Sequence, residues 1–243
     1  MKDNKSVCRG QLILIPVGIG SESLSQVLPT YNKEWIDSCA VFVVEELRTA
    51  RRFLHAVGYA HAIEQAQFYV LNEHSRPEDI EECFREIEAG RNVGVLSEAG
   101  LPCVADPGAA VVRMAQRRGV EVRPLVGPSS LMLALMASGL GGQQFAFCGY
   151  LPVDKSQRAA TIRTLESRAR RDGVTQLFIE APYRNNQMLQ SLSETCRADT
   201  AICVACDLTM PSQYVRTLTA EQWRSERLQV NLHKRNTVFL IGS

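Results

Sequence analysis

Residues 92–125 read NVGVLSEAGLPCVADPGAAVVRMAQRRGVEVRPL, and their pattern decides the fold class. NVGVLS is an apolar run of strand length, PGAAVVRMAQRRG reads as a helix with basic residues in its last turn, and VEVRPL is a second short strand. A parallel pair of strands needs a crossover of a dozen or more residues, so strand, helix and strand in this order form a parallel crossover unit. The alternation extends upstream through QLILIP (11–16), AVFVVE (40–45) and FYVL (68–71). ELRTARRFLHAV sets Leu47, Ala50, Leu54 and Val57 on one helical face, with Gly58 as its stop. RPEDIEECFREIEAG has Pro77 and four acids early, Ile80, Phe84 and Ile87 on one side, and Gly90 as C-cap. Strands that are apolar throughout, rather than alternating, predict a sheet buried on both faces.

Beyond VGPSS, LMLALMASGLGG is apolar all round a helix and predicts burial on every side, followed by a Gly-rich break at 139–142. A domain boundary near residue 125 follows, giving 1–125 and 126–243. In the second half strands are expected at QFAFCGYL, VTQLFIE, TAICVACDL and NTVFLIG, and helices near 156–171 and 185–197. Its last three strands have fewer helices between them, which predicts some antiparallel pairing. The fold class is therefore α/β in two domains, the first with a mostly parallel sheet and the second with a mixed one.

The 243 residues carry 27 Lys+Arg against 26 Asp+Glu, a net charge of +1. No global field attracts nucleic acid or an anionic membrane, so any such contact must be local. No apolar run reaches 18 residues, and the start MKDNKSVCRG lacks the apolar stretch of a signal peptide, so a cytoplasmic protein with no membrane contact is expected. Most of the eight cysteines lie in apolar stretches and read as reduced thiols. Cys203 and Cys206 form a CxxC within a strand, where alternation sends them to opposite faces, and the histidines lack ligand spacing, so no metal site is expected. The basic run 155–171 spreads around a helix and reads as a solvated surface.

Three turns stand at the carboxyl ends of expected parallel strands, where open α/β sheets bind ligands. Pro16-Val17-Gly18-Ile19-Gly20 lets backbone approach a ligand, although Ser23 stands where a dinucleotide fingerprint needs a third glycine. Ser97–Gly108 is a stiff loop with two prolines and two glycines, longer than a tight connection requires; Asp106 within it reads equally as a helix N-cap. Val126-Gly127-Pro128-Ser129-Ser130 offers hydroxyls and free amides at a helix start, for capping or for an anion.

The ordered set of a Gly-containing turn, SEAGLPCVADPG, VGPSS and GYLP resembles the tetrapyrrole methylase superfamily of S-adenosylmethionine-dependent methyltransferases, and within it the ribosomal RNA small-subunit ribose 2′-O-methyltransferases. Glu45-Glu46-Leu47-Arg48, Gly149-Tyr150-Leu151-Pro152 and Ile179-Glu180-Ala181-Pro182-Tyr183-Arg184 stand where those enzymes carry EDTR-like, GFLP and YESxxR-like segments. Departures are Glu46-Leu47 for Asp-Thr, Leu101 for the loop threonine, a strand-one turn without PIGNL-like wording, and His233-Lys234-Arg235-Asn236-Thr237 for a Lys-Gly-Glu-like segment.

The resemblance implies S-adenosylmethionine in a cleft between two domains, and a homodimer. It places Pro16, Gly18, Ile19 and Gly20 beside adenosine and methionine, and Gly100, Leu101, Val104 and Asp106 of the loop around the methionine part. Ser129, Ser130 and Leu131 close the other wall, and Ile179 and Thr237 reach in from the second domain. Glu45 is the candidate general base for a ribose hydroxyl, reading equally as a helix-start acid or as a partner of Arg48 or Arg184. Arg48 and Arg184 suit a phosphate or surface ion pairs, and Lys234-Arg235 make a basic patch before the last strand. The implied partner is ribosomal RNA or the small ribosomal subunit. Two alternatives remain open here: methylation of a tetrapyrrole or other small molecule, and a cofactor-binding module without catalysis.

Overall fold

A computed structural model describes residues 10–20, 23–71, 77–226 and 230–242, and divides the chain into two compact units, 1–128 and 129–243. The division falls three residues beyond position 125. Cys8, His74 and the amino-terminal nonapeptide lie outside the described residues.

The first unit is built on β1 (Leu12–Ile15), β2 (Cys39–Val44), β3 (Gln67–Val70), β4 (Asn92–Leu96) and β5 (Val122–Pro124), all parallel in the order β3-β2-β4-β1-β5. Its crossover helices include α1 (Asn32–Asp37), α2 (Leu47–Ala56), α3 (Pro77–Glu88) and α4 (Ala109–Arg118). Leu12, Val41, Val43, Val93 and Val95 face one buried cluster with Phe84 and Ile87 of α3. Ile13, Ile15, Phe42, Val44 and Leu96 face another with Ala50, Phe53 and Leu54 of α2. Alternate side chains thus enter separate cores, which is why these strands are apolar without a break.

The second unit holds α5 (Ser130–Ser138), β6 (Phe145–Tyr150), α6 (Lys155–Asp172), β7 (Thr175–Ile179), α7 (Asn185–Thr195), β8 (Ala201–Cys206), β9 (Tyr214–Thr219), α8 (Ala220–Glu226) and β10 (Thr237–Gly242). The sheet order is β6-β7-β10-β8-β9, with β6 parallel to β7 and the other pairs antiparallel. Phe178 and Phe239 stack between adjacent strands at 5.8 Å, and the buried Trp223 donates Nε1–H to the Ile202 carbonyl at 2.9 Å. Cys203 and Cys206 are both fully buried free thiols.

One expectation fails at α5, which is not buried on every side. Ala134, Leu135 and Ser138 are covered, but Met132 is 38% and Met136 79% exposed. The helix packs on β8, β9 and β10, while two methionines one turn apart look outward. Uniform apolarity says that a helix can be buried, not how many neighbours it receives.

Candidate active site

The order of the first sheet puts β4 between β1 and β2, with β5 on the other side of β1. Because all five strands run the same way, the turns leaving β2, β4, β1 and β5 share one edge. Val17 N–H donates to the Gly100 carbonyl at 2.9 Å, and Gly100 N–H to the Gly18 carbonyl at 3.4 Å, lacing the first turn to the loop after β4. A Cβ on Gly127 would lie 2.2 Å from the Pro16 Cβ, so the turn after β5 meets the first turn at a contact only glycine permits. Gly100 has φ +70°, and a Cβ there would lie 3.1 Å from Ile19 Cγ2 and 3.4 Å from the Pro128 carbonyl oxygen. Asn32, 1% exposed, ties in the Val126 carbonyl with its amide at 2.7 Å.

The loop between β4 and α4 is held in an uncommon shape. Cys103 (φ +69°) and Ala105 (φ +60°) occupy the left-handed region, at about 1–2 kcal/mol each for residues with a Cβ. Asp106 is not the N-cap of α4; Gly108 is, and Asp106 Oδ1 accepts the Gly108 N–H at 2.7 Å in a turn that delivers the chain to the helix. Leu101 is half-buried and Val104 45% exposed, while Val126 on the neighbouring turn is 69% exposed.

At the end of β2 the two glutamates divide their work. Glu46 caps α2, accepting from Arg48 N–H (2.8 Å), Thr49 N–H (2.6 Å) and the Thr49 hydroxyl (2.7 Å). Glu45 is therefore not the capping acid. It is half-buried, and desolvation first, then the charges of Asp106 and Glu98, push its pKa up to about 7. No ion pair engages Glu45, Glu98 or Asp106 among the described residues, and Arg48 points to solvent. Such a carboxylate exchanges a proton near neutrality, and its unpaired acidic neighbours complement a cationic ligand.

In the second unit, Ile179 closes β7 and Thr237 opens β10, and their antiparallel pairing puts both at one end of the sheet. Thr237 is 6% exposed and donates its hydroxyl to the Arg235 carbonyl at 3.2 Å. Ser129 caps α5 through a 3.4 Å bond from Met132 N–H, with Ser130 half-buried after it and Leu131 buried. Arg184 binds the buried Glu180 through Nε (3.1 Å) and a terminal nitrogen (2.5 Å), and Arg235 binds Asp207 at 2.7 Å and the Ser212 carbonyl at 2.6 Å. Of the cations expected at the substrate, Arg184 and Arg235 are thus engaged, while Lys234 and Arg48 are exposed. Three of the six basic residues on α6 are engaged, Arg158 buried against the Val153 carbonyl at 2.7 Å and Arg170 and Arg171 paired with Asp199 and Asp172, while Lys155, Arg163 and Arg168 are exposed as expected of a solvated face.

Residues 11–223 match the family model for tetrapyrrole (corrin/porphyrin) methylases. The chain belongs to this family. It is 31% identical over 214 residues to a ribosomal RNA small subunit methyltransferase I of Leptospira borgpetersenii, covering 86% of this chain and 79% of that protein. Its counterpart of the same name in Escherichia coli O157:H7 is 26% identical, covering 86% and 70%. Among solved structures, the methyltransferase CobJ superposes with TM-score 0.63 at 18% identity, covering 96% of this chain and 94% of that one. A uroporphyrin-III C-methyl transferase from Thermus thermophilus, complexed with S-adenosyl homocysteine, gives TM-score 0.56 at 16% identity, covering 96% and 98%.

Tetrapyrrole methylases use S-adenosylmethionine, a nucleoside with a sulfonium and an ammonium. The first unit of this methylase suits that chemistry. Glu98 and Asp106, the acids beside Glu45, offer carboxylates to the cationic centres, Val104 and Val126 expose apolar surface, and the loop from Leu101 to Asp106 has N–H and C=O groups that belong to no helix or strand. Sequence reading missed Glu98, whose charge reaches Glu45 only through the adjacency of β2 and β4. Tyr183, quoted in the sequence only as part of the segment after β7 and given no role there, is 64% exposed beside Arg184 in a tight turn that begins at Pro182.

Proposed function

We propose that this methylase transfers the methyl group of S-adenosylmethionine to RNA of the small ribosomal subunit, at a ribose 2′-hydroxyl. The observation that carries the reading is the carboxylate of Glu45, poised near neutrality beside three interlocked turns suited to the cofactor. The names of the relatives, matched over 86% of the chain, support RNA as the acceptor.

When bound, S-adenosylmethionine supplies an electrophilic methyl whose C–S bond breaks as the new C–O bond forms, the electron pair staying on sulfur as a neutral thioether. Positive charge disperses in that displacement, so the protein's task is alignment and removal of one proton. Gly18, Ile19, Gly100 and Leu101 would hold the donor by backbone and apolar contact, with Val104 and the Asp106 carboxylate on the loop side. Ser129, Ser130, Leu131, Ile179 and Thr237 are the residues of the second unit assigned to cofactor binding. The Glu45 carboxylate takes the hydroxyl proton as oxygen attacks, leaving neutral products.

The protein is further inferred to act in the cytoplasm as a homodimer, the outward Met132 and Met136 of α5 giving apolar surface for a second copy. A solution mass of two 27.0 kDa chains is the expected reading; a monomer at micromolar concentration contradicts it. No helix among the described residues is long and apolar enough to cross a membrane.

The function is tested by incubating the protein with methyl-labelled S-adenosylmethionine and small ribosomal subunits from a strain lacking the gene. Label should enter the RNA at one position that resists alkaline cleavage, because a 2′-O-methyl group removes the attacking hydroxyl. Absence of label from the RNA, or transfer to a porphyrin instead, overturns the reading.

A further inference from the structure

With a net charge of +1, this protein has no general attraction for RNA and must hold it by a built local site. Two turns of the second unit present one. After β7, Pro182 starts a tight turn that carries Tyr183 outward with 64% of its surface open. The turn is locked from beneath. Glu180, 5% exposed, accepts the Ala181 N–H at 2.7 Å and the Arg184 guanidinium at 2.5 Å, and that guanidinium lies 5.6 Å from the centre of the Tyr183 ring.

The second turn is fastened to the first. Lys234 adopts φ +59° and donates its backbone N–H to the Pro182 carbonyl at 3.0 Å. Asn185, fully buried, donates its side-chain amide to the Arg235 carbonyl at 2.6 Å, while the Arg235 side chain is held by Asp207 and Ser212. The left-handed residue before a clamped arginine leaves Lys234 exposed one step from the aromatic turn. Both nearby carboxylates, Glu180 and Asp207, are already neutralised by arginines, so neither repels an anion.

We propose that Tyr183 and Lys234 form a landing site for one nucleotide of single-stranded RNA, the base stacking on the Tyr183 ring and a phosphate meeting the Lys234 ammonium. Arg184 and Arg235 are positioning residues that hold the two turns. An unpaired nucleotide fits because an aromatic platform needs an accessible base face, which a duplex does not offer. This deepens the RNA reading given above and rests on it for the choice of polymer.

The test is binding of a fluorescein-labelled single-stranded RNA 12-mer of mixed sequence to the full-length protein, with the matching duplex as comparison. Tyr183→Ala should weaken single-strand binding about tenfold, as removal of a stacking platform does, while Tyr183→Phe keeps the ring and the affinity. Lys234→Ala should reduce the slope of log affinity against log salt by about 0.7, the share of one phosphate contact on a single strand. Unchanged circular dichroism and S-adenosylmethionine binding in the variants show that the fold survives. Wild-type affinity in both Tyr183→Ala and Lys234→Ala, or a preference for the duplex, overturns the proposal. Methyl transfer to ribosomal subunits is scored separately. RNA binding that depends on Tyr183 without such transfer removes the proposed reaction and leaves the site standing, whereas transfer with unaltered variant affinities and KM removes the site alone.

Discussion

Gly127→Ala is expected to abolish measurable binding of S-adenosylmethionine. The new methyl would stand 2.2 Å from Cβ and 2.4 Å from Cγ of Pro16, whose ring cannot rotate away, so the turns after β1 and β5 must separate. Overpacking of this kind costs about 1–3 kcal/mol of stability, a fall in melting temperature of roughly 2–4 °C per kcal/mol for a chain of this size. The loss of binding should exceed that, because Ile19 and Gly100 lean on the same junction: Gly100 lies against both Ile19 and the Pro128 carbonyl. Gly142→Ala, whose Cβ would meet nothing within 4 Å, is the control and should change neither quantity. Binding is measured by calorimetry well below the melting temperature of the variant. Wild-type affinity in Gly127→Ala would mean that the junction of the turns does not shape the cofactor site.

Glu45→Gln should lower kcat by about 10²–10⁴-fold, the usual worth of a positioned general base, with little change in cofactor affinity. The sign of the pH dependence follows from the direction of the shift. Burial and the neighbouring charges of Asp106 and Glu98 raise the Glu45 pKa to about 7, so the carboxylate is protonated and idle at pH 6 and ionised at pH 8. Wild-type activity should therefore climb through pH 7 and level off above it, and the residual activity of the glutamine variant should lack that step. The same shift makes the ionised form costly to the folded protein: its stabilising share is complete below the ordinary glutamate range and is lost as pH rises through about 7. Full turnover in Glu45→Gln assigns the carboxylate a merely electrostatic place at the end of β2.

What the sequence disclosed, and what it withheld, follows the range over which each signal acts. The parallel first sheet was readable because burial on two faces leaves a local mark, seen in Leu12 and Ile13 entering separate cores. Antiparallel pairing of β8 and β10 was inferable from the shortage of helices. β9 escaped notice, since YVRTLT is half-polar and follows a turn closed by Asp207 and Thr209 in left-handed conformations that their residue types do not announce. The capping role of Glu46 rather than Glu45 depends on one residue of register at the start of α2. Arg235 looked available because its partner, Asp207, comes from the end of a different strand. The acids around Glu45 meet only because β2 and β4 are neighbours, a fact of topology that no window of sequence contains.

Titration of the wild-type protein with S-adenosylmethionine in a calorimeter tests the central claim most directly. Interlocked turns at one sheet edge, beside unpaired carboxylates, predict saturable binding of one molecule per chain. No heat of binding up to about millimolar ligand, equivalent to less than about 4 kcal/mol of affinity, would contradict it.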